Sequence, residues 1–261
     1  MRGSKAEQAA RQLLDEFGLD DVVDIDLRDL LFARSILYRE APLGGCEGRI
    51  VFGGKGRAII TVNSDTKYLP RKRFSIAHEL GHYELKHRLI HYDNAATFDY
   101  YKNGNQESEA NEFAAELLIP EPMFNAAIAG KPFSPKLLEN LAEKFGTSIS
   151  SILYRYIDVG PHPIAAIFSC NGNVMFMKKS SRYNRRFIDL TKLSVPHYSV
   201  AEEWFQEHIR YDLDDIQDID MNVWFDMSWP QEDEKRSTNA CHEYCFISEL
   251  YNTALSVIWE D

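Results

Sequence analysis

Between Arg71 and Leu85 the chain reads Arg-Lys-Arg-Phe-Ser-Ile-Ala-His78-Glu79-Leu-Gly81-His82-Tyr-Glu-Leu, and no other stretch limits the fold as much. Phe74, Ala77, His78, Gly81, His82 and Leu85 recur at i, i+3, i+4, i+7, i+8 and i+11, the spacing of one helical face. Imidazoles four residues apart on a helix stand about 40° apart in projection, so both can grip one ion. Glu79 lies one step round and reaches a water on that ion without being a ligand. This is why H-E-x-x-H on a helix makes a hydrolytic zinc site, with Glu79 as general base. Both histidines share the apolar stripe, so another element must cover them, and Gly81 leaves room for a second backbone.

A hydrolytic zinc site needs a third protein ligand and one open position. Downstream lies Glu107-Ser-Glu109-Ala110-Asn111-Glu112-Phe-Ala114-Ala-Glu116-Leu-Leu118-Ile-Pro120. Glu107, Ala110, Asn111, Ala114 and Leu118 share one helical face. A carboxylate on a face of small and apolar residues is costly without a partner, and alanines permit close helix–helix approach. Glu107 is therefore the expected third ligand, with another nearby carboxylate as the alternative. Asn111, one turn on, is placed to orient a ligand histidine from behind. Glu109, Glu112 and Glu116 fall on other faces and are expected in solvent.

These two motifs, with Asn63 upstream, resemble the ImmA/IrrE family of zinc metallopeptidases over about residues 1–125. The resemblance implies a gluzincin-like site on a zincin-like domain: one zinc held by His78, His82 and Glu107, with Glu79 as base. It also implies an intracellular endopeptidase acting on a helix-turn-helix transcriptional repressor in a stress, phage or mobile-element response. Ile119 stands where the family often has Met, and Ser75 where Thr is common; both are conservative. A peptide substrate is expected to lie extended beside Arg57–Asn63, adding a strand there. Tyr83, His87, His91, Tyr100 and Tyr101 are candidates by position for stabilising the oxyanion.

The pattern along the 261 residues is mixed α+β. Helices are expected at 4–18, 27–33, 70–87, 105–118, 122–129, 135–145, 148–157 and 200–209. Strands are expected at 35–40, 48–52, 57–63, 164–169, 174–178, 221–227, 244–247 and 254–259, with 88–104 an exposed loop. Residues 53–56 and 171–173 read as hairpin turns. The first four residues carry no weight. The expected domains are a zinc metallopeptidase domain at 1–130, a helix-turn-helix-like segment at 131–160, and a smaller α+β domain at 161–261. The last vaguely resembles a GAF-like sensory domain, by strand order and position alone.

The net charge of −11 is uneven: residues 201–261 carry 16 acidic side chains against three basic ones. Bulk charge thus opposes nonspecific nucleic-acid binding. The helical pair at 137–156 offers mainly Ser150, Ser151 and Arg155, too little for a DNA-reading helix. The basic run Lys178, Lys179, Arg182, Arg185, Arg186 and Lys192 reads as a solvated loop facing acidic residues near the C-terminus. Four cysteines do not form a disulfide framework. Cys241-x-Glu243-x-Cys245 alternates as one strand face and lacks a second ligand pair, and Cys46 reads as a loop or core thiol. No apolar run approaches a membrane span and no signal peptide is visible, so a cytoplasmic protein without membrane contact is expected. Besides the peptidase, two other classes stay open: a DNA-binding regulator with an unused zinc site, and a ligand-sensing module. A nucleic acid or small-molecule activator remains a further partner class.

Overall fold

α1 (Lys5–Glu16) begins at a capping box: Ser4 Oγ accepts from Glu7 N–H at 3.2 Å, and Glu7 returns by accepting from Ser4 N–H at 2.8 Å. Ser4 thus has a structural part that the sequence reading did not give it. The computed structural model describes residues 3–19, 26–87, 100–190, 193–228 and 239–260. By contacts the chain divides into two units, Met1–Ala127 with Leu141–Ser151, and Ile128–Asn140 with Ile152–Asp261.

In the first unit, α2 (Leu27–Ala33) starts at Asp26, whose carboxylate accepts from Arg28 N–H. β1 (Ile36–Ala41), β2 (Gly48–Phe52) and β3 (Ala58–Asn63) follow. Their spatial order is β1-β3-β2, with β1 parallel and β2 antiparallel to β3. β3 is therefore paired on both sides, and a substrate cannot add a strand to it, contrary to expectation. The outer edges, unpaired among the described strands, belong to β1 and β2. Ile36, Ile50, Ile60 and Val62 are buried on one face of this sheet, and α3 (Leu69–Glu84) packs against β2 and β3. Pro70 sits in the first turn of α3, where its missing N–H costs no intrahelical bond.

α4 (Tyr100–Leu118) packs on α3 and α1. Of the expected loop at 88–104, residues 100–104 are helical, and 88–99, with His91, lie outside the described residues. A Cβ added to Gly81 would stand 3.2 Å from the Ala110 carbonyl oxygen and 3.0 Å from Phe113, so glycine is what lets α4 come this close. Ala110 and Ala114 are fully buried at that contact. Glu116 is also buried, not solvated: Arg11 of α1 donates to it at 2.6 Å. Arg34 joins Glu16 and Glu84, both at 2.6–2.7 Å, fastening α1 and α3 to the end of α2. α5 (Glu121–Ile128) closes this stretch.

α6 (Pro135–Phe145) and α7 (Ile149–Val159) are divided between the units. Gly146 turns the chain at φ +56°, and Ser148 Oγ accepts from Ser151 N–H at 3.1 Å. Arg155 is buried. In the second unit β4 (Ile164–Cys170) and β5 (Asn173–Lys179) meet through Asn171-Gly172, both at positive φ as a tight hairpin requires. α8 (Val200–Glu207), β6 (Gln217–Asp220), β7 (Ala240–Ser248) and β8 (Thr253–Trp259) complete an antiparallel sheet of order β5-β4-β8-β7-β6. The strand expected at 221–227 is absent. Asp220 Oδ1 instead accepts from Asn222 N–H and starts a 3-10 turn over Met221–Val223. Trp224 and Phe225 are then buried in succession, which a one-sided strand does not allow.

Candidate metal centre

The first turn of α4 that carries described side chains faces the middle of α3. Glu107 Oε2 lies 3.1 Å from His78 Nε2, Glu107 Oε1 lies 3.4 Å from His82 Nε2, and the two Nε2 atoms are 3.1 Å apart. Among the described residues this is the one group of His, Cys, Asp or Glu whose donor atoms converge, all within 4.8 Å. The α4 face derived from spacing thus brings Glu107 to both histidines. Cys241 and Cys245, both buried, join no such group.

The partners on the far side of each ring fix which nitrogen faces the centre. Asn111 Oδ1 can only accept, so His78 Nδ1–H donates to it at 2.9 Å, which turns Nε2 toward the centre. Behind His82 stands a second imidazole: His82 Nδ1 and His87 Nδ1 are 2.9 Å apart, and His87 Nε2 is 2.9 Å from Glu109 Oε2. A carboxylate accepts, so His87 donates from Nε2. In the tautomer where His87 Nδ1 accepts from His82 Nδ1–H, His82 presents a bare Nε2 to the centre. Its pKa is lowered to about 3, first by burial and then by His78 and His87, so the ring is neutral, as a ligand must be.

His87 and Glu109 are the residues that sequence reasoning misplaced. Helical phase sets residue 87 well away from residue 82. α3 ends at Glu84, however, and Lys86 takes the left-handed region at φ +57°. The chain turns back, His87 N–H donates to the His82 carbonyl at 3.0 Å, and the ring tucks beneath its neighbour, buried. Glu109, expected in solvent, anchors it.

Glu79 is 7 % exposed and lines the same cleft as the three donors. Burial first, then the Glu107 charge, push its pKa up to about 7, while the Ile50 backbone N–H and Arg49 pull it down. The cleft, about 670 Å³, is also lined by Cys46, Gly48, Arg49, Ile50, Arg71, Phe74, Ser75 and Asn111. Gly48 gives Glu79 room at the wall, since a Cβ there would stand 2.9 Å from Glu79 Oε1 and displace the carboxylate. Asn63 bonds the backbone of Leu43 through both side-chain atoms, and Arg71 and Glu47, both lining the cleft, pair at 2.9 Å. None of the oxyanion candidates is shown at the cleft. Tyr83 donates to the Gly56 carbonyl, His87 backs His82, His91 is outside the described residues, and so are the side chains of Tyr100 and Tyr101.

Elsewhere the basic run is engaged locally. Lys178 pairs with Asp158, Lys179 Nζ donates to the carbonyls of Tyr183 and Arg185, and Arg185 forms a fork with Glu260 at 2.9 and 3.0 Å. Lys192 lies outside the described residues. No described helix is long and apolar enough to cross a membrane.

Two histidines one helical turn apart, a glutamate from the next helix and an adjacent buried carboxylate define a protein with a candidate metal site of the H-E-x-x-H-plus-glutamate class. Residues 34–156 match the model of the IrrE N-terminal-like domain family, peptidase family M78. The matched span starts after α1 and α2 and runs into α7, later at both ends than the 1–125 suggested by the motifs. No curated protein matches the sequence. Among solved structures a Mycobacterium tuberculosis transcriptional regulator is similar, with a TM-score of 0.60 over 98% of this chain and 75% of that one, at 14% identity. At that identity the likeness speaks for the fold.

Proposed function

We propose that this protein is a zinc endopeptidase whose substrate is a regulatory protein, a helix-turn-helix repressor being the class the family resemblance suggests. The observation that carries the reading is the convergence of His78, His82 and Glu107 beside Glu79 on one open cleft. Two imidazoles and one carboxylate are a donor set that suits zinc and leaves a coordination position free. Zinc, when bound, supplies a Lewis acid that makes water nucleophilic near neutral pH. Glu79 takes the proton from the attacking water and delivers it to the leaving amine. The Ile50 N–H fixes that carboxylate against the edge strand, while Asn111 and His87 orient the two rings. An extended substrate segment is best accommodated along β2, whose Gly48, Arg49 and Ile50 line the cleft and whose outer edge pairs with no described strand. The GAF-like reading of the C-terminal sheet remains part of this proposal as a sensory module of unnamed ligand.

A DNA-binding regulator has less support. Arg155 is buried, Ser150 and Ser151 are bonded to Ser148, and Lys179 and Arg185 are engaged. The deciding experiment co-expresses the protein with a helix-turn-helix repressor encoded beside it and follows the repressor's size by immunoblot. Cleavage by the parent, with none by Glu79→Gln, is expected. Equal relief of repression by both, without a fragment from either, would overturn the peptidase reading.

A further inference from the structure

The three-stranded sheet buries one face against α3, and no described helix packs on the rows of its other face, which is exposed at Leu37 and Val51. Strand register sets Leu37, Ile59 and Val51 in one row across β1, β3 and β2, and Arg39, Thr61 and Arg49 in the next. Leu37 is 61% exposed and Val51 44%; Phe32, at the end of α2, is 85% exposed. With Ile59 they line a groove of about 800 Å³ whose lining includes Arg57 and no carboxylate. Arg39 and Arg49 are exposed as well, Arg39 lying over Thr61 through a 2.9 Å hydrogen bond. Single exposed apolar side chains need no explanation. A contiguous apolar row bordered by cations of one sign marks an interaction surface.

We propose that this face docks an acidic amphipathic helix of a partner protein. Strands lie about 4.8 Å apart, so the apolar row spans roughly 10 Å. Helical residues i and i+7 stand about 10.5 Å apart on one face, with i+4 between them, and match that row residue for residue. Acidic residues at i+1 and i+8 occupy one flank of such a helix at the same separation. They meet Arg39 and Arg49, which stand about 6.6 Å further along the strands, in charge-assisted pairs. A second copy of this chain fits poorly, because the three arginines of one face would oppose those of the other. β2 borders both places: Gly48, Arg49 and Ile50 line the metal cleft, Val51 and Phe52 the groove. A partner held here lies alongside the cleft, yet docking needs no hydrolysis and stands apart from the peptidase reading.

The probe is a fluorescein-labelled 15-residue helical peptide with Leu at positions 4, 8 and 11, Glu at 5 and 12, and Ala and Gln elsewhere, titrated with the full chain by anisotropy. The parent is expected to bind it at least tenfold tighter than a scrambled peptide of the same composition or one with Lys at 5 and 12. Leu37→Asp, and separately the double variant Arg39→Glu with Arg49→Glu, should each lose at least tenfold with unchanged melting temperature, since these side chains are exposed. The double variant should in turn prefer the Lys peptide. Glu79→Gln should bind like the parent, so failure of the peptidase reading and failure of docking are told apart. Equal affinity for the scrambled peptide, or indifference to the substitutions, overturns the proposal. So does a concentration-dependent dimer abolished by Val51→Asp, which would give the face to a second copy. Binding to phosphatidylserine vesicles that outlasts the Leu37 substitution would overturn it in favour of a lipid surface.

Discussion

Glu79 and Glu243 make an instructive pair, one in each unit of the chain. Both are buried, at 7% and 0% exposure, and burial pushes the pKa of both upward. Around Glu243 every approach is taken by the protein. It accepts from Val200 N–H at 3.0 Å and Trp224 Nε1–H at 3.1 Å, with Ser256 and Cys245 at its other side. Glu79 has one backbone donor and otherwise faces an open cleft with three converging metal donors. A shifted carboxyl therefore does not by itself mark a reaction centre. Access and convergent neighbours do.

The same isosteric change should separate the two. Glu79→Gln should cut peptide hydrolysis by about 10²–10⁴-fold, the usual worth of a general base, with zinc retained. Glu243→Gln should leave hydrolysis intact and alter the pH profile of stability. Because the folded-state pKa of Glu243 lies above its unfolded value of ~4.3, its ionisation is easier in the unfolded chain. The parent should thus lose stability as pH rises from ~4.3 through the folded pKa, and the Gln variant should not. Melting curves between pH 4 and 8 check this: a gap between variant and parent that does not widen with pH would contradict it.

Smaller effects sharpen the account within the metal centre. His87→Phe and Glu109→Ala keep all three donors but strip the support behind His82. Each should weaken zinc affinity by about 10–100-fold in chelator competition, the range for outer hydrogen-bond partners of a ligand. Unaltered affinity in both would mean that His82 needs no support. Glu112→Ala, from an exposed position on the same helix, should change neither affinity nor stability beyond about 0.5 kcal/mol.

What could be read from the chain depended on whether a contact follows from local geometry. The face shared by Phe74, His78, His82 and Leu85, and that shared by Glu107, Ala110 and Ala114, are properties of straight helices, and spacing alone places them. The Asn171-Gly172 hairpin is likewise local. His87 against His82 depends instead on a left-handed residue at Lys86, which periodicity does not encode. β3 stands between β1 and β2 although the chain visits it last, so its paired edges were invisible in sequence order. Glu109 and Glu116 looked solvated because their partners, His87 and Arg11, come from other elements. Trp224 and Phe225 suggested a strand by composition, whereas tertiary burial and the Asp220 cap decide for a turn.

The most direct measurement is metal content per chain after exhaustive dialysis, for the parent, Glu79→Gln and His82→Ala prepared together. About one zinc per chain in the parent and in Glu79→Gln, and none in His82→Ala, is the expected result. A parent that binds no zinc, or a His82→Ala variant that keeps full occupancy, would contradict the assignment of His78, His82 and Glu107 as the metal centre.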